Sequence, residues 1–108
     1  MIEPLVHPAA KEELLQSIRY YASLDDDGEL ALSFEATFLR CLAAIVANPP
    51  LHRIRRNKTR RVNLTPRFGE HYIAYTLVQE RVFILAVAHA KRHPYYWLDR
   101  VSDSGSKI

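Results

Sequence analysis

Cysteine and glycine are scarce in this chain, with one and three among 108 residues, and each scarcity excludes something. Cys41 has no second thiol, so an intrachain disulfide and the paired-cysteine zinc and redox motifs are out. Gly28, Gly69 and Gly105 are scattered, and neither GxGxxG nor GxxxxGK occurs, which removes the glycine-rich loops that cradle nucleotide phosphates. No Ser-His-Asp arrangement can be read either. The apolar run Val82 to Ala88 is far too short to cross a bilayer. Glu3 and Pro4 follow Met1 and Ile2 at once, without the cationic start and apolar stretch of a secretory signal. The expectation is a soluble, cytoplasmic protein with no membrane association.

What is present is a globular composition, 48% hydrophobic and 25% charged, with the acids and bases segregated. Up to Glu35 eight acids stand against Lys11 and Arg19, a balance of −6. From residue 36 onward thirteen Lys and Arg stand against Glu70, Glu80, Asp99 and Asp103, a balance of +9, and no acid lies between Glu35 and Glu70. Such segregation points to a polyanionic or acidic partner for the second part. The length fits one domain, placed at 1–101, with 102–108 expected to be a disordered tail. A core this small gains much from a bound partner.

Ile2 to His7 reads as a short strand leading into a helix that Pro8 opens. Ala10, Leu14, Ile18 and Tyr21 recur at helical steps from Ala9 to Leu24, with Glu12 and Glu13 expected near the positive end of the helix dipole. Asp25-Asp26-Asp27-Gly28 reads as a turn, without calcium-loop spacing. Leu30, Phe34, Phe38, Leu42 and Ile45 resume the helical pattern until Asn48-Pro49-Pro50, and Phe34, Phe38 and Cys41 are expected in the core. The period then changes to that of strands. One begins near Arg60 and is broken by Pro66 and Gly69. Tyr72 to Val78 and Arg81 to His89 form a hairpin around Gln79-Glu80. Val82 to Ala88 is apolar at every position, hence central and covered on both faces. Pro94 to Arg100 is expected to make a last helical turn. The order β-α-α-β-β-β defines an α+β domain, a helical hairpin packed on a mostly antiparallel four-stranded sheet.

Two segments hold side chains suited to recognition. Residues 52–61 place six cations in ten positions, Arg53, Arg55, Arg56, Lys58, Arg60 and Arg61, with Arg67 close behind. Arginine's planar fork bonds phosphate or carboxylate at two points, so this run suits phosphate or acidic-peptide binding, or else is a solvated loop. Arg60 and Arg61, if both in a strand, point to opposite faces, and only one can serve a shared site. The second segment, His89 to Trp97, mixes His89 and His93 with Lys91, Arg92, Tyr95, Tyr96 and Trp97, a set able to stack bases, hold phosphate and move protons. Trp97 and one tyrosine are expected to fold back onto the core, leaving Lys91 and Arg92 in solvent. No metal site is expected: His89 and His93 lack the glutamate of the helical zinc motif, and cations stand between them. No cofactor is implied.

Several stretches together resemble the RelE/ParE superfamily of toxins. They are Ala9-Ala10-Lys11-Glu12-Glu13-Leu14-Leu15 with Tyr20-Tyr21, Ala47-Asn48-Pro49, Arg60-Arg61-Val62, Pro66-Arg67-Phe68, Tyr72-Ile73-Ala74-Tyr75 and Ile84 to His89. The ending His89, Arg92, Pro94, Tyr96, Trp97 is most similar to the ParE-like, plasmid-stabilisation branch.

The resemblance implies the family's β-α-α-β-β-β fold and the toxin of a type II toxin–antitoxin module, arresting growth until a small labile antitoxin wraps it. Operator DNA would be bound only through the antitoxin complex. Within the superfamily, ParE-like members include proteins that poison DNA gyrase by binding, and RelE-like members cleave messenger RNA in the ribosome. A nuclease would draw its catalytic residues from Arg60, Arg61, Arg92, Tyr95 and Tyr96. Tyr72 stands where the nuclease branch often carries arginine, which favours the gyrase expectation. Arg53, Arg55, Arg56, Lys58, Arg60, Arg61, Arg67, Lys91 and Arg92 are the candidates for target or antitoxin binding. An inactive relative that binds antitoxin and operator is the remaining alternative.

Overall fold

Leu5–Val6 forms a two-residue strand, β1, and the chain turns at His7 into helix α1, Pro8–Ala22. Pro8 occupies the first helical turn, where its missing N–H costs nothing. The His7 imidazole caps the end by accepting from Ala9 N–H at 3.0 Å. The computed structural model describes residues 3–105 of the chain. A tight turn follows α1, in which Asp27 Oδ1 accepts from Glu29 N–H and Asp25 Oδ2 from Leu30 N–H. Gly28 completes it at φ 74°, a left-handed conformation that side chains disfavour. The aspartate run is thus a turn, and helix α2 spans Glu29–Ala47.

Helix α2 combines 19 residues with a mean hydropathy of 1.8, enough by length and composition alone to cross a bilayer. Glu35 and Arg40 interrupt its apolar sequence. Its inner side, Phe34, Thr37, Phe38, Cys41 and Ile45, is buried in the fold, while Leu32 and Leu39 on the other side are exposed.

Strands β2 (Arg60–Leu64), β3 (Phe68–Val78) and β4 (Arg81–His89) complete a sheet of order β1-β4-β3-β2. β1 runs parallel to β4, and the remaining pairs are antiparallel. Val82 to Ala88 is buried throughout, as expected of a central strand. Gly69 does not end a strand: β3 begins at Phe68, and the register shift between Asn63 and Leu64 absorbs the extra residues. A second shift, between Ala74 and Tyr75, leaves Leu85 without a partner in β3. Such bulges let a strand change which residues face which layer. Gln79 and Glu80 form the hairpin loop with φ values of 51° and 66°.

The two sheet faces carry separate cores. On one, Ala10, Phe34, Phe38, Cys41 and Ile45 of the helical hairpin meet Leu64, Ile73, Tyr75, Val82, Ile84 and Val87. Each fully buried Phe or Ile there stabilises the fold by roughly 1.5–3 kcal/mol. On the other, Tyr72, Ala74, Phe83, Leu85, Ala86 and Ala88 lie under Trp97, with Tyr95, Tyr96, Leu98 and Val101 packed around it.

Three expectations are corrected. The last helical segment is a 3₁₀ run at Leu98–Gly105, so it starts after Pro94 and extends past Arg100. Residues 102–105 are therefore structured, and 106–108 lie outside the described residues. Asp103 carries a reason for that order, since its Oδ2 accepts from His7 Nε2 at 2.6 Å. Glu12 and Glu13 are not in the first turn of α1. Glu13 points inward and is buried.

Candidate functional site

The basic segment 52–61 is held in one shape by its own backbone and by the strands beside it. Arg55 N–H donates to Thr59 O at 2.6 Å, and Thr59 N–H and Oγ1 both donate to Arg56 O. Thr76 Oγ1 reaches Lys58 O, and Arg60 Nε reaches His52 O. Thr59 is fully buried beneath this arch. Asn57 and Lys58 take left-handed φ values of 55° and 61°, a cost that surrounding contacts must offset. The arch carries Arg53, Arg55, Arg56 and Lys58 outward, all exposed. Among the described residues none of the six cations of this segment pairs with a carboxylate.

The C-terminal segment comes to this arch across the second sheet face. The Arg56 guanidinium lies 4.6 Å above the Tyr95 ring, and Arg61 lies 3.8 Å above Tyr72. Trp97 links the two pairs: its ring is 5.4 Å from that of Tyr95, and its Nε1 donates to Tyr72 Oη at 3.0 Å. Tyr95 holds a left-handed φ of 61°. Arg61 thus faces this cluster, and Arg60, bonded to His52 O, does not; the two arginines occupy opposite faces as the strand alternation requires. Trp97 packs on the core as expected, and both Tyr95 and Tyr96 pack beside it where only one tyrosine was expected.

Glu13 gathers the remaining groups. Its carboxylate accepts from Val87 N–H at 3.1 Å, Tyr96 Oη at 2.6 Å and both terminal nitrogens of Arg100 at 3.0 and 3.1 Å. Arg92 approaches at 3.4 Å and stacks 3.7 Å over the Tyr96 ring, so it is not simply in solvent. Burial, followed by the hydrogen bond to Glu13, pushes the Tyr96 phenol strongly upward from its ordinary pKa. Beside this hub lies an open cleft of about 520 Å³ lined in part by Tyr21, His71, His89, Lys91, Arg92 and Tyr96. His71 is buried and bonded to Tyr21 Oη at 2.9 Å, with its ring 4.7 Å from that of His89. Burial first, then the neighbouring His89, lowers its pKa to about 4.

Arg67 stands apart from the other candidates: it forms a fork with Glu29 at 2.9 and 3.3 Å at the start of α2. Lys91 lines the cleft and not the arch. Sequence reasoning missed Glu13, Tyr21, His71 and Arg100 as site-forming residues. A signal existed for two of them. Glu13 falls three residues after Ala10 on the inward stripe of α1, and His71 alternates with Ile73 and Tyr75 on the helix-facing side of β3.

The family model described as ParE toxin of type II toxin-antitoxin system, parDE, matches residues 5–94. The chain belongs to the ParE toxin family. It is accordingly the toxin of a type II toxin–antitoxin system, with a cognate antitoxin as its partner. No curated protein matches it at a significant level. The match to the ParE family ends before Tyr95, so Tyr95, Tyr96, Trp97 and Arg100 extend beyond the matched region. In this ParE-family toxin they are bound back to it through Arg56, Glu13 and Tyr72.

Proposed function

We propose that this toxin arrests growth by binding and poisoning DNA gyrase in the cytoplasm, with no bond-breaking chemistry of its own. The observation that carries this reading is the engagement of the groups an endoribonuclease would need. Arg60 and Arg61 serve opposite faces, Arg92 is stacked on Tyr96, and the Tyr96 phenol is bonded to Glu13 with its pKa driven upward. A phenol so held is a poor proton acceptor near neutrality. A protein that acts by binding needs only a rigid surface, and the tied arch supplies one.

Neutralisation would use the arch and a second surface. An antitoxin segment with acidic residues would meet the arch, and its apolar side chains would find a groove of about 300 Å³ beside α2, lined by Glu3, Pro4, Leu39, Leu42, Ala43 and Val46. A segment that orders on binding would add its burial to a small core.

The test is a supercoiling assay with gyrase and antitoxin-free toxin, run beside a search for new message ends on translating ribosomes. Inhibited supercoiling with intact messages is expected. Cleaved messages with unaffected supercoiling would replace this reading with the RelE-like one, for which Arg61 above Tyr72 offers a guanidinium on the strand face. Normal growth on induction of soluble protein would leave an inactive relative that binds antitoxin and operator.

A further inference from the structure

We propose that the arch at 52–61 is itself a binding site for the phosphate backbone of duplex DNA, so that the toxin contacts DNA directly and not only through its antitoxin. The inference does not depend on which target the toxin arrests.

Three observations on the arch carry it. The first is charge without compensation: Arg53, Arg55, Arg56 and Lys58 are exposed, and among the described residues none has a carboxylate partner. Elsewhere in the molecule arginines find acids readily, Arg67 with Glu29 and Arg100 with Glu13. The second is preorganisation. Backbone bonds at Arg55, Arg56 and Thr59, with side-chain bonds from Thr76 and Arg60, fix the loop. A merely solubilising loop has no need of left-handed Asn57 and Lys58, whereas a fixed row of cations loses little further entropy on meeting a fixed row of phosphates.

The third concerns the kind of nucleic acid. Single-stranded binders offer bare aromatic faces on which bases stack. Here Arg56 covers Tyr95 and Arg61 covers Tyr72, which is itself buried. With the rings covered, what the surface presents is guanidinium and ammonium, groups suited to backbone oxygens and indifferent to sequence. Duplex DNA, with its dense and regular phosphates, is the polyanion that such a surface fits best.

The experiment is fluorescence anisotropy of a labelled duplex of arbitrary sequence with the full antitoxin-free chain, titrated at several salt concentrations. Wild type is compared with an Arg53→Ala, Arg55→Ala, Lys58→Ala triple variant and with Arg19→Ala, a surface control on α1 paired with Glu12. Four neutralised phosphates predict that affinity falls about 150-fold between about 50 and 200 mM salt, and the triple variant, left with Arg56, falls only about fourfold. The triple variant should melt like wild type, because the bonds that hold the arch use other groups. Arg19→Ala should bind as wild type does. An equal affinity and salt slope in the triple variant overturns the proposal, as does failure of wild type to bind duplex at the lowest salt. Binding of single-stranded RNA in strong preference to duplex also overturns it, in favour of an RNA surface. Gyrase is absent from this assay, so its outcome is separate from that of the supercoiling test.

Discussion

Glu13 and Arg100, 87 residues apart in sequence, meet as a two-pronged ion pair with N···O distances of 3.0 and 3.1 Å. Both are largely shielded, with side chains 10% and 15% exposed. The pair fastens the C-terminal 3₁₀ run to helix α1, and through Tyr96 and Arg92 it sets the position of the segment that follows β4.

Glu13→Ala should therefore destabilise strongly. It leaves Arg100 shielded without its carboxylate and frees Tyr96 Oη and Val87 N–H, a loss of about 3–5 kcal/mol by analogy with broken buried pairs. Urea unfolding of the two proteins measures it; a change below about 1 kcal/mol would remove Glu13 from this role. Glu13→Gln, which keeps the shape, should fall between.

Acid should weaken the fold through His71. Its pKa is about 4 when folded and 6.5 ordinarily. The unfolded chain thus takes up a proton first as pH falls, and stability declines from about pH 6.5 down to about 4. The window corresponds to a loss on the order of 3 kcal/mol. His71→Phe should flatten urea midpoints measured between pH 7 and 5. A slope identical to wild type would assign the acid sensitivity to other groups.

Tyr72→Phe removes the acceptor for Trp97 Nε1 and leaves a buried N–H unpaired, at a cost of about 1–3 kcal/mol. Trp97 is the only tryptophan, so its emission reports on this site alone. The variant should show altered emission in the folded state together with a lower melting temperature. An unchanged melt would show that the indole N–H finds another acceptor.

The hairpin loop offers a gain. Gln79 and Glu80 both sit at positive φ, which Asn-Gly accepts with little strain. The Gln79→Asn, Glu80→Gly double variant should be more stable by about 0.5–1 kcal/mol, read as a higher urea midpoint at unchanged slope. A lower midpoint would mean that the flexibility added to the unfolded chain outweighs the relief of strain.

Much of this architecture was legible in the residues. The stripe Ala10, Leu14, Ile18, Tyr21 and the stripe Phe34, Phe38, Ile45 announced two helices, and the run Val82 to Ala88 announced a central strand, because burial repeats with the period of each element. The opposite orientations of Arg60 and Arg61 followed from strand alternation alone. Gly69 misled because a glycine that breaks one strand and a glycine carried through an irregular register look alike in sequence. Glu13 and His71 were passed over because charged and polar residues are ordinarily assigned to solvent, and only a partner set distant in sequence makes their burial tolerable. Arg67 was grouped with the arch by proximity along the chain, and Glu29 drew it elsewhere.

The sequence by itself determined the element types, the turns, the separation of acids from bases and the family to which the chain belongs. These depend on local spacing and on composition, which a linear string carries in full. Tertiary structure alone decided that Arg56 meets Tyr95, that Arg61 meets Tyr72, and that Glu13 is shared by Tyr96, Arg92 and Arg100. Those contacts depend on sheet register and on where the final 3₁₀ run docks, and the energy of a pair of distant charges exists only once the fold has brought them together and shed their water.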